Sequence, residues 1–334
     1  MGMLICVVPA YRAAASIVDV VRGALPFVDH VIVVDDACPD SSGRLAEHAF
    51  RGDGRVKCLY REKNGGVGEA MKTGISLALE LGAQFVVKLD ADGQMDPNFI
   101  PAMRDVLLMK PAVGLVKGNR FYDSSVARSM PGLRLFGNSI LTLLVRIATG
   151  LWSSIDPTNG YIMVRASSLR RVRFASLSNR YYFEISLLAA LAMRRLELAE
   201  MEMPAIYGPH PSSLSVWKSA IGFPGRLVAT FVKRILWQYI ISDMNVGSVM
   251  LVLGSVLMAI SLGFGSEAWI ETLHSGIARP PGTIMLVFLP FLMGFQLMLN
   301  ALIYDVQFSP RVHNVSIEES LDIPTLPLRA IARS

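Results

Sequence analysis

Residues 85–97 read FVVKLDADGQMDP. A mostly apolar run of strand length, FVVKL, leads straight into Asp90, Asp92 and Asp96, with Gln94 among them. A buried strand reads as a short continuous apolar run, and Pro97 suits the first turn of a following helix. The stretch therefore predicts strand, acidic loop, helix. In a loop leaving a strand, alternate side chains can converge, which brings Asp90, Asp92 and Gln94 towards one point. Hard oxygen donors of this kind suit Mg2+ or Mn2+; an acidic turn is the plainer alternative.

The pattern repeats on either side. Strands are predicted at 4–8, 30–34, 56–60, 85–89 and 113–117, and helices at 16–25, from Asp40 or Ser41 to 50, and at 67–81. Strand–helix alternation with short connections indicates a mainly parallel sheet wrapped by helices, an α/β fold. Ligands of such sheets bind beyond the carboxyl ends of the strands. The polar clusters fall at those ends: Pro9-Ala10-Tyr11, Asp35-Asp36 and Asp90-Ala91-Asp92. That placement is the main reason to expect a nucleotide. Asp35-Asp36 offers oxygens to a base or ribose, or caps the next helix. Further on, 133–151 and 183–193 read as helices and 159–164 and 196–203 as strands. A membrane span at 133–151 would bury Arg134 and Arg146, which is costly, so that helix belongs at a membrane surface or beside the site.

Of the 334 residues 52% are hydrophobic, and the net charge is +5. A basic balance suits a partner with phosphates, here a nucleotide or an anionic membrane face rather than nucleic acid. Cys6, Cys38 and Cys58 lack metal-ligand spacing and read as reduced thiols. The opening MLICVVPAYR is broken by Pro9 and reads as a first strand, not a secretory signal. The apolar excess lies far along the chain. Residues 244–266 and 280–304 are 23 and 25 positions without a charge, each longer than the roughly 20 needed to cross a bilayer as a helix; a pair of buried core helices is the alternative. Lys218, Arg226, Lys233 and Arg234 precede the first run, while the connecting loop holds Glu267, Glu271 and Arg279. That bias predicts a multi-pass protein of the cell membrane with the first domain and both termini in the cytoplasm. The expected organisation is a cytoplasmic domain (1–212), interfacial amphipathic helices broken at Pro224-Gly225 (213–243), two spans (244–304) and a loosely ordered tail (305–334).

Lys63-Asn64-Gly65-Gly66-Val67-Gly68-Glu69-Ala70 is glycine-rich and precedes a helix, so its backbone N–H groups can meet a phosphate or a ribose. It is neither G-x-x-x-x-G-K-[ST] nor G-x-G-x-x-G.

VPAYR at 8–12, VVDD at 33–36, NGGVGEA at 64–70 and DADGQ at 90–94, in this order, resemble family-2 glycosyltransferases of the GT-A fold, a Rossmann-like sheet of the nucleotide-diphospho-sugar transferases. The likeness is to polyprenyl- or dolichyl-phosphate sugar synthases with two C-terminal spans. It implies that Pro9, Tyr11, Asp35, Asp36, Asn64, Gly65, Asp90, Ala91 and Asp92 line the nucleotide-sugar pocket. Asp90, Asp92 and Gln94 would hold a divalent ion, Mg2+ or Mn2+, on the diphosphate. Arg120 in GNR would face phosphates, and Arg134 and Asn138 would lie near the lipid phosphate, Asn138 standing where serine is more usual. Asp156 and Asn159-Gly160-Tyr161 would lie near the sugar.

Glu184 in YFEI falls where sugar-to-sugar members keep a carboxylate base, although Ile185 replaces their usual Asp; an ion pair with Arg180 is the structural alternative. A phosphate monoester has a second pKa of about 6 and arrives already anionic, so it needs a cationic cradle more than a base. The catalytic set is thus Asp92, Arg120, Arg134 and Glu184. The expected reaction is inverting transfer from a UDP- or GDP-sugar to a polyprenyl phosphate at the membrane, with a homo-oligomer left open. Rivals are a family-2 transferase acting on a hydroxyl, disfavoured by the absence of Q-x-x-R-W, and a non-catalytic nucleotide-sugar-binding module.

Overall fold

The apolar runs become strands because both faces of the sheet are covered. A computed structural model describes residues 2–121, 132–204 and 216–316, without the side chains of 133, 134 and 216–222. In chain order the elements are β1 (Leu4–Ala10), α1 (Ile17–Ala24), β2 (His30–Asp35), α2 (Ser42–Ala49), β3 (Val56–Tyr60), α3 (Val67–Glu80) and β4 (Phe85–Lys88). Then come α4 (Ile100–Met109), β5 (Val113–Asn119), α5 (Gly132–Thr149), β6 (Ile162–Arg165), α6 (Phe183–Ala192) and β7 (Glu197–Glu202). The last are α7 (Val216–Ile235), α8 (Val246–Ser275), α9 (Pro281–Gln307) and β8 (Val312–Val315).

Successive strand residues point to opposite faces. Cys6, Val8, Val31, Val33, Phe85 and Val87 join the core under α1 and α4, while Ile5, Val7, Ile32, Val34 and Val86 join the core under α3 and α6. A sheet buried on both faces needs continuous apolar strands rather than alternation. The strand order is β3-β2-β1-β4-β6-β5-β7-β8. All pairs are parallel except those of β6, which runs antiparallel to β4 and β5. The sheet is mainly parallel, as the sequence indicates.

The chain divides into two units, residues 1–230 with 310–334, and residues 231–309. Three expectations change. First, β8 lies within the segment read as a loose tail. It adds a parallel edge to β7 through Leu198↔Val312 and Met201↔Val315, and His313 bonds Glu197 at 2.7 Å. The remainder of that tail, 317–334, is outside the described residues. Second, α7 continues through Pro224 instead of breaking there. Phe223 and Leu227 pack with Tyr182 and Ile185, and the Tyr182 and Phe223 rings meet edge-on at 5.6 Å, contacts that offset the missing helix bond. Trp217 and Lys218 have side chains outside the described set. Third, Arg234 is not a surface cation. In the unit 231–309 it is 1% exposed and bonds Asp305 at 2.7 and 3.1 Å, with the Tyr239 hydroxyl donating to the same carboxylate at 2.7 Å. Burial of an ion pair demands such satisfaction.

α8 and α9, of 30 and 27 residues, are long and apolar enough to cross a membrane. Only 22% and 11% of their most apolar windows are buried, unlike the mostly buried helices of a core. α8 runs past the expected end, through Glu267 and Glu271, to Ser275.

Candidate active site

Parallel register gathers the strand ends. Ala10 pairs with Asp35 and Val7 with Lys88, so the loops after β1, β2 and β4 leave one edge of the sheet together. Pro9 is tolerated inside central β1 because it lies past the last β1–β4 pair, where its missing N–H has no partner to serve. Tyr11 projects from this edge, 45% exposed, with the Arg12 guanidinium 5.6 Å from its ring centre. Ala91 is buried, and its carbonyl accepts the Ser16 hydroxyl at 2.6 Å.

The two aspartates that close β2 do different work. Asp35 accepts Cys38 N–H at 2.7 Å and Gly43 N–H at 2.9 Å, so it caps the entry to α2. Asp36 accepts Gly65 N–H at 3.0 Å, Gly66 N–H at 2.7 Å and Arg61 Nη1 at 2.9 Å. The glycine-rich loop therefore turns these two N–H groups onto Asp36, not outward to a phosphate. Gly66 has φ +92°, and a Cβ there would lie 2.8 Å from the Asn179 carbonyl. Asn64 is exposed at the start of this loop. Asp40 collects N–H or hydroxyl bonds from Ala14 and Ser42 and the Cys38 thiol. Burial opposes ionisation of Asp40, but these donors outweigh it and hold its pKa down to about 2.

Lys88 is the charged group of this candidate site that sequence reading missed. It ends β4 with its side chain 2% exposed, and its Nζ lies 2.6 Å from Asp90 Oδ1 and 3.0 Å from Glu184 Oε1. The third neighbour is the Gly160 carbonyl at 3.4 Å. Burial alone would lower the lysine's pKa; the two carboxylates outweigh it and raise it. Glu184, in the first turn of α6, thus pairs with Lys88 rather than Arg180. The signal available in the sequence was a lysine inside an apolar strand, a position that requires a buried carboxylate partner.

Asp92 sits at the loop tip, and its Oδ1 accepts Gln94 N–H at 3.0 Å. Desolvation of the carboxyl raises its pKa, the Gln94 N–H opposes this, and the charge of Asp90 adds to the rise. Two neighbouring carboxylates and an amide make a hard-oxygen set that fits Mg2+ or Mn2+. Among the described residues no three Asp, Glu, His or Cys groups converge on such an ion. A cation here would draw its remaining ligands from phosphate and water, as Mg2+ ordinarily does.

Arg120 follows β5 at the same edge. Asp156, fully buried, accepts its backbone N–H at 3.2 Å, Nε at 2.9 Å and Nη2 at 3.1 Å. Burial works against the Asp156 anion, but the Arg120 bonds and charge outweigh it and lower its pKa. Beneath lies a second buried lysine. Lys117 donates to the Asp156 carbonyl and faces Glu200, which also accepts the Ser154 hydroxyl and Ile155 N–H. The Asp156–Gly160 loop so joins the arginine to the Lys88 cluster. Asn159 is mainly structural, its Oδ1 accepting Tyr161 N–H at 3.0 Å.

Arg134 and Asn138 both lie on α5; the Arg134 side chain is outside the described set, and Asn138 is half-buried. The helix also carries Phe136, Ile140, Leu143 and Leu144, which are 64%, 43%, 51% and 41% exposed. Their spacing makes one apolar ridge.

The family described as Glycosyl transferase family 2 matches residues 5–173, half of the chain. An undecaprenyl-phosphate mannosyltransferase of Micrococcus luteus is 29% identical over 208 residues, 61% of this chain and 83% of that protein. A UDP-N-acetylglucosamine–dolichyl-phosphate N-acetylglucosaminyltransferase of Methanococcus voltae is 25% identical over 61% of this chain and 86% of its own. Among solved structures, glucosyl-3-phosphoglycerate synthase of Mycobacterium tuberculosis aligns with a TM-score of 0.51 at 19% identity, over 73% of this chain and 82% of that one; this likeness is one of fold.

Proposed function

The chain belongs to glycosyl transferase family 2 and is a glycosyltransferase, and from that premise we propose that it moves a sugar from a nucleotide sugar to a polyprenyl phosphate at a membrane. The observation that carries this reading is the exposed apolar ridge of α5, on the helix that bears Arg134 and Asn138. A ridge of that kind is stable against lipid, and it would hold the helix that bears Arg134 and Asn138 at headgroup level. The helices α8 and α9 would anchor the chain there. The two relatives support the acceptor class: their names carry different sugars but the same kind of lipid phosphate.

The residues suggest a division of labour. Pro9, Tyr11 and the loops ordered by Asp35 and Asp36 receive the nucleoside. Asp90, Asp92 and Gln94 would hold the divalent ion, which when bound would offset negative charge on the diphosphate. Arg120, oriented by Asp156, meets phosphate, and Arg134 with Asn138 receives the acceptor. The acceptor's phosphate oxyanion attacks the anomeric carbon opposite the diphosphate; the new C–O bond forms as the old one breaks, and the nucleoside diphosphate leaves with the electron pair. Configuration inverts. A hydroxyl acceptor would need a free base, and Glu184 is engaged by Lys88 at 3.0 Å. The excess of positive charge before α8 favours the catalytic unit and both termini on the cytoplasmic side.

The test is purified protein in detergent with UDP- and GDP-sugars, Mg2+ or Mn2+, and either polyprenyl phosphate or the corresponding free alcohol. Labelled sugar should appear on the phosphate alone, and Asp92→Asn should lower turnover at least 100-fold. Transfer to the alcohol, or full activity in Asp92→Asn, would overturn the reading.

A further inference from the structure

We propose that Lys88 is a positioning residue whose buried ammonium ties the acidic loop to α6, fixing Glu184, like Asp90, as a charge partner of the lysine rather than the proton acceptor of the transfer. The inference rests on the glycosyl-transfer reading of this site and deepens it: an enzyme whose carboxylate is tied in this way takes an acceptor that brings its own oxyanion.

An ammonium has three N–H donors and no acceptor. Lys88 has three acceptors from three separate segments: Asp90 Oδ1 in the loop after β4 at 2.6 Å, Glu184 Oε1 on α6 at 3.0 Å, and the carbonyl of Gly160 at 3.4 Å. The ammonium is satisfied without solvent: the lysine side chain is 2% exposed and that of Glu184 12%, while Asp90, at 34%, forms the solvent-facing side of the cluster. It also excludes side chains. A Cβ on residue 160 would stand 2.9 Å from Nζ and 3.6 Å from both Asp90 Oδ2 and Glu184 Oε1, so glycine is the residue that lets the third acceptor approach.

The cluster carries one positive and two negative charges. Removing the lysine leaves Glu184, 12% exposed, beside Asp90 with no protein cation between them, which is unfavourable for so buried a carboxylate. Removing one glutamate charge as well restores the original net charge. This gives a rescue that a catalytic base cannot imitate. If Glu184 took the acceptor's proton, no second substitution would compensate for its loss.

The experiment compares full-length wild type, Lys88→Met, Glu184→Gln and the double variant in detergent, by thermal unfolding and by kcat and KM for the nucleotide sugar. Lys88→Met should lower kcat at least 100-fold and reduce the melting temperature. Glu184→Gln, whose amide oxygen still accepts from Lys88, should cost less than tenfold in kcat. The double variant should run at least tenfold faster than Lys88→Met and melt higher. Should Lys88→Met fail to fold, recovery of a folded, active double variant carries the same conclusion. A loss of 1000-fold or more in Glu184→Gln with unchanged KM and melting temperature, or a double variant no better than Lys88→Met, overturns the proposal. If the wild type transfers no sugar to any lipid phosphate, the acceptor assignment fails, and the melting temperatures of the four proteins still decide whether Lys88 and Glu184 are coupled.

Discussion

Replacing Asp156 by Asn tests whether the arginine after β5 depends on its carboxylate. The side chain is fully buried and accepts three N–H bonds from Arg120. Asparagine keeps the shape but removes the charge and one oxygen acceptor. A hydrogen bond to a charged group contributes about 1.5–3 kcal/mol. For stability this must be discounted, because the Arg120 side chain is 43% exposed and solvent screens it; about 1–2 kcal/mol remains, or a fall of roughly 2–8 °C in melting temperature. For activity the discount is smaller, since the phosphate proposed to bind at Arg120 would displace that solvent. A loss of about 1.5–3 kcal/mol in transition-state binding corresponds to roughly a 10- to 150-fold fall in kcat/KM. The pH dependence has a defined sign. The native Asp156 pKa is depressed below the unfolded value, so its stabilisation is complete above the unfolded value of about 4 and fades as pH falls through the native one. The melting difference between wild type and variant should therefore be full at pH 7 and shrink in acid. Steady-state kinetics and calorimetry give both quantities, and Arg120→Ala supplies the control: the double variant should be no slower than Arg120→Ala alone. An Asp156→Asn enzyme within threefold of wild type in kcat/KM, or losses that simply add to those of Arg120→Ala, would refute the coupling.

Two further outcomes follow from groups outside the catalytic edge. Asp40, with its pKa held at about 2 against an ordinary 3.8, contributes stability that is complete above about pH 4 and lost as pH falls through about 2; Asp40→Asn should unfold more easily at neutral pH and show a flatter acid limb in a pH series of thermal melts. Ending the chain at Ser309 should remove β8 and bare the β7 edge, giving a lower melting temperature and concentration-dependent association in size-exclusion chromatography.

The parallel half of the sheet was legible because its strands are buried on both faces and so stand out as unbroken apolar runs. The direction of β6 was not. IMVR looks like any other apolar run, and only its pairing between β4 and β5 sets it antiparallel. β8 was invisible for a different reason: VHNV has no distinctive pattern of its own, and its conformation comes from the β7 backbone it pairs with. Pro224 misled because local propensity favours a break, whereas the contacts of Phe223 and Leu227 span it.

Charges that meet water stand out in the sequence, and buried ones do not. Asp90 and Asp92 were conspicuous after an apolar strand, but Lys88 within that strand was absorbed into the apolar run. Yet a buried ammonium costs several kcal/mol unless paired, so each strand-interior lysine predicts a carboxylate elsewhere in the chain. Among the described residues two strand lysines are buried, Lys88 in β4 and Lys117 in β5. Lys88 meets Glu184 and Lys117 faces Glu200, partners 96 and 83 residues away in sequence. Arg234 with Asp305 repeats the logic in the other unit. Glu184 is thus better explained by what Lys88 requires than by what an acceptor requires, and the same demand accounts for the bare backbone at Gly160. Sequence spacing cannot supply these pairings because each joins segments brought together only by the sheet or by the packing of helices.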